Sequence, residues 1–225
     1  MESCNAQDKK KSDVSFKTQL DSVSYGLGVS IGANLKQNAL DTVNVEMLSK
    51  GMKDFFANKN SLTAEQADAA IRGYLGSKEK AKGEGNMKLG EAFLAANKSK
   101  PGVQVTASGL QYMIMKAGTG PKPVLTDKVT THYHGTLIDG TVFDSSVDRG
   151  QPASFPVNGV IPGWTEALQM MPVGSKWKLF VPANLAYGER GAGGKIGPNA
   201  ALVFEVELLS IDKADEPKGD VKEQK

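Results

Sequence analysis

The stretch Val160-Ile161-Pro162-Gly163-Trp164 decides the fold that we expect for the second half of this chain. Val160 and Ile161 are apolar and β-branched. A proline at the next position suits the first turn of a helix, where its missing N–H leaves no hydrogen bond unmade. We therefore predict a short helix that begins here with a tryptophan. Set among strands, such a helix can place a flat aromatic surface at the bottom of a cavity.

Segments on both sides of this stretch have the two-residue period of β-strands. The predicted strands are residues 110–115, 129–134, 177–181 and 201–211. Asp139-Gly140 lies between two apolar segments and is a strong signal for a hairpin turn. The C-terminal half is thus predicted to be an antiparallel sheet curved around one short helix.

Four more aromatic side chains lie near the tryptophan in the sequence: Tyr133, Phe143, Phe155 and Tyr187. One acid, Asp144, directly follows Phe143, and no nucleophile–base pair is evident. An aromatic pocket with few charges suits an apolar, rigid ligand such as a proline ring.

The N-terminal half has a helical period instead. Apolar residues recur at three- and four-residue steps at Phe16, Leu20, Val23, Leu27, Ile31 and Leu35. Asn44 is placed to cap a second helix, and Thr63 with Gln66 fits a capping box that opens a third. We expect this third helix to run towards Pro101. Between Lys78 and Lys88 it is polar on every side, which is typical of a bridge between domains, and we place a hinge at residues 83–85.

Helices of this size bury little apolar surface alone. We therefore expect residues 15–62 to form a homodimer. The alternative is that these helices fold back onto the C-terminal domain.

Composition excludes several classes of protein. The 225 residues carry a formal net charge of only +2, which gives no reason to expect nucleic acid as a partner. No apolar run approaches the ~20 residues that span a bilayer. His132 and His134 share a strand face, but no acids or cysteines complete a ligand set, so we expect no metal and no cofactor. The single cysteine, Cys4, is either an exposed thiol in a disordered tail or the lipid-bearing cysteine of a lipoprotein.

Many short motifs, in order, resemble the FKBP-type peptidyl-prolyl cis-trans isomerases. They comprise Tyr133, Gly135, residues 139–140, 143–146 and 160–164, Ala186-Tyr187-Gly188, and residues 202–208. The resemblance covers about residues 105–212. The N-terminal half resembles the macrophage infectivity potentiator (Mip-like) branch through Tyr25-Gly26, residues 50–52, 90–94 and 100–103.

This resemblance implies an enzyme that accelerates X–Pro isomerisation during the folding of envelope proteins, without covalent catalysis. Its partners would be proline-containing peptides, unfolded proteins and macrolide inhibitors of the rapamycin type. It also implies a V-shaped homodimer in the bacterial envelope, periplasmic or anchored through Cys4, with a cytoplasmic location as the alternative. The competing function is a dimeric holdase that binds unfolded chains between its two halves, with isomerisation secondary.

The resemblance also assigns the site residue by residue. Tyr133, Asp144 and Tyr187 would be catalytic. Substrate would be bound by Phe143, Phe155, Val160, Ile161, Trp164, Ile196 and Phe204. Plain core packing is the alternative for part of this set, above all for Phe204. The match fails at Ala153 and Ala192, where relatives carry larger residues, and this concerns ligand preference more than activity.

The expected domain organisation follows from these assignments. It consists of a disordered tail at 1–14, a helical dimerisation domain at 15–62, a long connecting helix at 63–101, an isomerase domain at 105–212 and a second disordered tail at 213–225.

Overall fold

The computed structural model describes residues 14–37, 40 and 42–212. Cys4 and the two predicted tails, apart from Val14, lie outside the described residues. The chain divides into two compact units, with the boundary between Leu75 and Gly76.

The first unit is helical, as the sequence predicts. Its helices are α1 (Gln19–Gln37), α2 (Val45–Phe56) and the beginning of α3 (Ala64–Asn97). The Asn44 side chain caps α2 by accepting a hydrogen bond from the Met47 N–H at 3.0 Å. At the start of α3, Thr63 Oγ1 accepts from the Gln66 N–H at 3.2 Å, and Gln66 Oε1 accepts from the Thr63 N–H at 2.9 Å. These two bonds confirm the capping box.

Both α1 and α2 leave their apolar side chains in solvent. No residue of either helix is buried, and Leu20 and Phe55 are 72% and 66% exposed. Apart from the backbone of α1 itself, no atom lies within 4 Å of the position that a Cβ would take on Gly26, Gly28 or Gly32. The described part of a single chain therefore covers little of the apolar stripe that the sequence predicts, in which Ile31 and Leu35 are partly buried.

The second unit contains a seven-stranded antiparallel sheet. Its strands are β1 (Val103–Val105), β2 (Gln111–Lys116), β3 (Lys128–Leu137), β4 (Val142–Ser145), β5 (Ala153–Pro156), β6 (Lys176–Val181) and β7 (Leu202–Asp212). The order across the sheet is β1-β2-β6-β7-β3-β4, and β5 pairs with β3. The predicted hairpin is confirmed, because Gly140 has a φ of +88° and its N–H donates to the Leu137 carbonyl at 3.0 Å.

The short helix α4 (Pro162–Met170) packs against this sheet and encloses the core with it. On the helix, Ala167 and Leu168 are at most 1% exposed. The strands contribute side chains that are equally buried, among them Val129, Leu179, Leu202, Val206 and Leu208. The predicted architecture, a helical N-terminal region, a long helix and an antiparallel sheet with one short helix, is confirmed.

The later part of α3 differs from the sequence-based expectation. The helix is unbroken through residues 83–85, ends at Asn97, and buries Gly83, Gly90 and Asn97. Asn97 Nδ2 donates to Gln111 Oε1 at 2.9 Å, and Gln111 Nε2 donates to the Leu94 carbonyl at 2.9 Å. This segment is therefore docked along one side onto the sheet domain, and the prediction of a solvated helix with a hinge at residues 83–85 was wrong. Glycines made the docked side look polar, because they carry no apolar side chain for the periodicity to reveal.

Candidate functional site

Helix α4 places Trp164 at the floor of a cavity. As predicted, Pro162 occupies the first turn, and the structure makes Ile161 the N-cap residue. A Cβ on Gly163 would lie 2.6 Å from Cγ1 of Val181 on β6. Since only a glycine lets the first turn approach the sheet this closely, the residue after it is carried into the core, and Trp164 is 4% exposed.

Three aromatic rings meet the indole of Trp164 edge to face. The ring centroids of Tyr133, Phe155 and Phe204 lie 5.4, 6.0 and 5.3 Å from that of Trp164, with interplanar angles of 85°, 85° and 80°. Edge-to-face pairs at this separation are attractive beyond the area that they bury. The floor is therefore held rigidly by rings from β3, β5 and β7.

A glycine in β3 makes room for one wall of the cavity. The rings of Phe143 and Phe204 also meet edge to face, at 5.5 Å and 83°. A Cβ on Gly135 would lie 2.7 Å from two atoms of the Phe143 ring and 3.0 Å from the Phe204 ring. Gly135 shares a strand face with Tyr133, since alternate residues point to the same side. Any side chain at this position would push the two phenyl rings apart.

The cavity has a volume of about 370 Å³, which falls within the ~300–1,000 Å³ range of small-molecule sites. Nine of the ten residues named from the sequence line it. The complete lining is Tyr133, Phe143, Asp144, Phe155, Gly159, Val160, Ile161, Trp164, Tyr187 and Phe204.

Ile196 is the exception and does not line this cavity. Its side chain is 8% exposed and belongs to the hydrophobic core. The Ala192 N–H donates to the Ile196 carbonyl at 2.8 Å, and the Ile196 N–H donates back at 3.0 Å. The loop thus folds on itself around this pair, and contact between Ile196 and substrate stays a prediction.

A polar network of three side chains lies at the rim. The Tyr133 hydroxyl donates to Asp144 Oδ2 at 2.5 Å and accepts from Arg149 Nη2 at 2.8 Å. Arg149 Nη1 closes the triangle on Asp144 Oδ1. The carboxylate is therefore held by two donors, and its orientation towards the cavity is fixed.

This network keeps Asp144 ionised and Tyr133 protonated. Desolvation of Asp144 opposes ionisation, but the hydrogen bonds from Tyr133 and Arg149 outweigh it, so the pKa of Asp144 is lowered. Burial, followed by the hydrogen bond to Asp144, raises the pKa of Tyr133. Neither group is tuned towards neutral pH, as a general acid or base would be.

The backbone of Tyr133 is fixed from the neighbouring segment. Ser146 Oγ accepts from the Tyr133 N–H at 2.7 Å and donates to the Tyr133 carbonyl at 3.2 Å. The Ser146 N–H donates to the same carbonyl at 2.9 Å. Ser146 is fully buried, so the segment that follows Asp144 and the strand that carries Tyr133 move as one piece.

Two hydrogen-bond donors at the cavity are free for a ligand. Tyr187 is 41% exposed. Its hydroxyl and the Ile161 backbone N–H have no acceptor within the described part of the chain. Both residues line the cavity, so both donors are available to substrate carbonyl groups.

Sequence reasoning missed Arg149 and Gly159. Arg149 lies five residues after Asp144, within the turn that follows β4. Opposite charges at that spacing were the available signal, but an arginine in a turn is usually solvated. Gly159 lines the cavity through its backbone, and the sequence carries no signal for that.

The two histidines interact with serines. His132 Nδ1 lies 3.1 Å from Ser146 Oγ, and His134 Nδ1 lies 3.0 Å from Ser145 Oγ. Over residues 14–37, 40 and 42–212, no group of three or more His, Cys, Asp or Glu side chains could hold a metal ion. The helices described in these ranges are all too short or too polar to cross a membrane.

Two family models match the chain. The model described as FKBP-type peptidyl-prolyl cis-trans isomerase matches residues 120–209. A second, described as the domain amino terminal to FKBP-type peptidyl-prolyl isomerase, matches residues 20–114. Their order is that of the helical and sheet-containing parts of the structure.

Individual relatives match almost the whole chain. Outer membrane protein MIP of Legionella longbeachae is 51% identical over 208 residues, which are 89% of each chain. An FKBP-type 22 kDa peptidyl-prolyl cis-trans isomerase of Escherichia coli K12 is 48% identical over 202 residues, or 87% of this chain and 97% of the relative. The crystal structure of FkpA from Escherichia coli superposes with a TM-score of 0.70 at 36% identity, covering 89% of this chain and 100% of that one.

Relatives this similar over this much of the chain identify the family without reference to the cavity. The structure independently arranges an aromatic cavity from the motifs that suggested the resemblance. The chain belongs to the FKBP-type peptidyl-prolyl cis-trans isomerases, in the branch of the Mip- and FkpA-type proteins, and is an enzyme of that class.

Proposed function

We propose that this isomerase rotates the X–Pro bond of a substrate whose proline ring lies on Trp164, and that it does so by desolvating and twisting the imide without covalent catalysis. The observation that carries the proposal is the cavity itself. Its floor and walls are aromatic and aliphatic. Its ionisable groups are the phenols of Tyr133 and Tyr187 and the carboxyl group of Asp144. Tyr133 and Asp144 are hydrogen-bonded, but burial and this bond raise the pKa of the phenol, so the pair does not supply an activated nucleophile.

The size of the rate gain is compatible with such a site. An X–Pro bond rotates over a barrier of ~18–20 kcal/mol in tens of seconds or longer. Millisecond turnover requires an acceleration on the order of 10⁴–10⁵, which lowers the barrier by ~5.5–7 kcal/mol. Amide resonance is lost in the twisted state, so the C–O dipole shrinks. A dry apolar cavity therefore stabilises the twisted form relative to the planar, more polar one.

The donors at the rim supply the remaining interactions. The Ile161 N–H and the Tyr187 hydroxyl each hold a substrate carbonyl. Asp144, oriented by Tyr133 and Arg149, faces the twisted carbonyl carbon as a fixed negative charge. Phe143, Phe155, Val160 and Phe204 enclose the proline ring. The same apolar cavity with its free donors suits macrolide inhibitors of the rapamycin type.

Variants of the rim residues test these roles. Tyr187→Phe removes one hydrogen bond and is expected to lower kcat/KM for a short X–Pro peptide ~3–10-fold. Asp144→Ala removes a charge-assisted partner and is expected to lower it ~10–100-fold. The assay is peptide isomerisation followed by exchange NMR, with rapamycin expected to abolish the rate enhancement.

Tyr112→Phe is the matched control. Tyr112 stacks on Trp177 and bonds Gln104, away from the cavity, so this variant should retain the rate of the unmodified enzyme. Full activity of both rim variants would contradict the assigned roles.

We further propose that residues 15–62 form a homodimer, that residues 63–101 connect this part to the isomerase domain, and that residues 105–212 carry the site. The exposed apolar stripe of α1 and the open space around its glycines support a second copy as the cover. Exposed apolar surface would also serve a holdase, but the relatives favour isomerisation as the principal activity.

Sedimentation equilibrium of the full chain tests the dimer. Twice 23.9 kDa gives about 47.8 kDa as the expected mass. Leu20→Asp combined with Leu27→Asp places charges in the apolar stripe and should shift the mass towards that of one chain, while Ser22→Asp, on the opposite side of the same helix, should not. A monomeric mass for the unmodified chain would contradict the proposal.

We also propose that the enzyme assists folding in the bacterial envelope, where the relative from Legionella longbeachae is named as an outer membrane protein. A lipid on Cys4 would anchor it there. Cells that are grown with radiolabelled palmitate should attach the label to the unmodified chain and not to Cys4→Ala. Absence of label from both would contradict lipidation and favour a periplasmic or cytoplasmic protein without an anchor.

A further inference from the structure

The second half of α3 lies against the loop that carries a pocket residue. Six of its residues are buried or partly buried at steps of three and four, namely Gly83, Asn86, Gly90, Phe93, Leu94 and Asn97. Residues at these spacings share one face of a helix. Their exposed neighbours Lys82, Glu84, Lys88 and Glu91 surround this face with charge. The docked face is therefore a narrow stripe, built from small and amide side chains beside the loop and from Phe93 and Leu94 nearer its end.

The contact with the loop is close and specific. A Cβ on Gly83 would lie 3.1 Å from Cβ of Pro198 and 3.3 Å from Nδ2 of Asn199. Asn86 Nδ2 donates a hydrogen bond to the Pro198 carbonyl at 2.8 Å. From the other side, a Cβ on Gly197 would lie 2.9 Å from Asn86 Nδ2. Glycine on both sides thus brings the asparagine amide within reach of the loop backbone.

A second hydrogen bond continues from this contact to the pocket. The Asn199 N–H, directly after Pro198, donates to the Gly188 carbonyl at 2.8 Å. Gly188 is the residue that follows Tyr187. Both ends of this bond have left-handed backbone, with φ of +54° at Asn199 and at Gly188. The loop from 188 to 199 is therefore closed at its base by this bond, and the base is attached to α3 through Asn86.

We infer that the second half of α3 is a positioning element of the isomerase site and that Asn86 is the positioning residue through which it fixes Tyr187. The inference rests on the proposed role of Tyr187 as a donor to a substrate carbonyl. Tyr187 is 41% exposed, and its hydroxyl makes no hydrogen bond within residues 14–37, 40 and 42–212 that would fix it otherwise. A hydrogen-bond donor on an unanchored loop loses more conformational freedom when it binds, so anchoring the loop strengthens substrate binding.

Part of the connecting helix is then a positioning element of the isomerase site. A fragment that starts at residue 105 would retain every cavity-lining side chain but would lack the element that holds the loop. Asn86 touches neither substrate nor cavity. Its effect is therefore expected in KM, through the Tyr187 hydroxyl, and not in the steps that depend on Trp164 or Asp144.

A double-mutant cycle in the full chain tests the coupling. Asn86→Ala is expected to raise KM for a short X–Pro peptide ~3–10-fold, the effect of one hydrogen bond, with kcat changed less than twofold. In a Tyr187→Phe background, the same substitution should change KM less than twofold, because the hydroxyl that it positions is gone. Lys88→Ala, on the exposed side of the same helix, should leave both constants unchanged.

Amide hydrogen exchange provides a readout that is independent of activity. The Asn199 amide should exchange several-fold faster in Asn86→Ala than in the unmodified chain or in Lys88→Ala. A matched glycine pair perturbs the same contact without touching Asn86. Gly83→Val should push the helix away from Pro198 and raise KM. Gly85→Val should not, because no described atom outside the backbone of α3 lies within 4 Å of a Cβ at that position.

Each outcome separates the two proposals. If Tyr187→Phe lowers kcat/KM but Asn86→Ala does not raise KM, the inference fails and the role of Tyr187 stands. Equal effects of Asn86→Ala with and without the tyrosine hydroxyl would also overturn it. If Tyr187→Phe itself has no effect, the proposed role of Tyr187 fails, and the coupling through it fails with it.

Discussion

The isomerase unit depends on the burial of Trp164 between α4 and the sheet. Gly163 lets the first turn of α4 approach β6, and three rings from β3, β5 and β7 then meet the indole edge to face. Trp164 also lines the cavity, so the part of the indole that these rings leave uncovered becomes its floor. The interaction that completes the core thus also creates the binding surface. This explains how a site can be rigid without a metal ion or a covalent group to organise it.

The apolar groups and the charged groups of this site lie in different places. The floor is apolar, whereas the carboxylate of Asp144 lies at the rim with its side chain 45% exposed. A half-exposed ion pair such as Asp144–Arg149 contributes little to stability because water screens it. The role of this ion pair is to fix the direction of the Asp144 carboxylate. Tyr133 and Arg149 fix where the charge points, and Ser146 fixes the strand that carries Tyr133. In the role that we propose for Asp144, the charge acts on the substrate as a preorganised dipole would, without a cost of reorientation during the reaction.

The sequence predicted most of this site because the relevant residues are dense in two short motifs and because aromatic side chains in strand-like segments must be buried somewhere. Helix caps at Asn44 and Thr63 were equally readable, since they depend on local hydrogen bonds. The docked face of α3 was not readable. Its glycines carry no hydrophobic signal, and their partners Pro198 and Ala201 lie more than a hundred residues away. Gly159 was missed for a related reason, because it lines the cavity through its backbone. Tertiary contacts of small residues and loop backbone are what periodicity cannot show.

In the mechanism that we propose, the site works through its environment and transfers no proton. The measurement that tests it most directly is the pH dependence of kcat/KM for a peptide that has no ionisable group of its own. With the pKa of Asp144 lowered and that of Tyr133 raised, both groups keep one protonation state between about pH 5 and pH 9. We therefore expect kcat/KM to be independent of pH across this range. A bell-shaped profile, or a slope of one decade per pH unit, would show a titrating acid or base in the catalytic step and would contradict it.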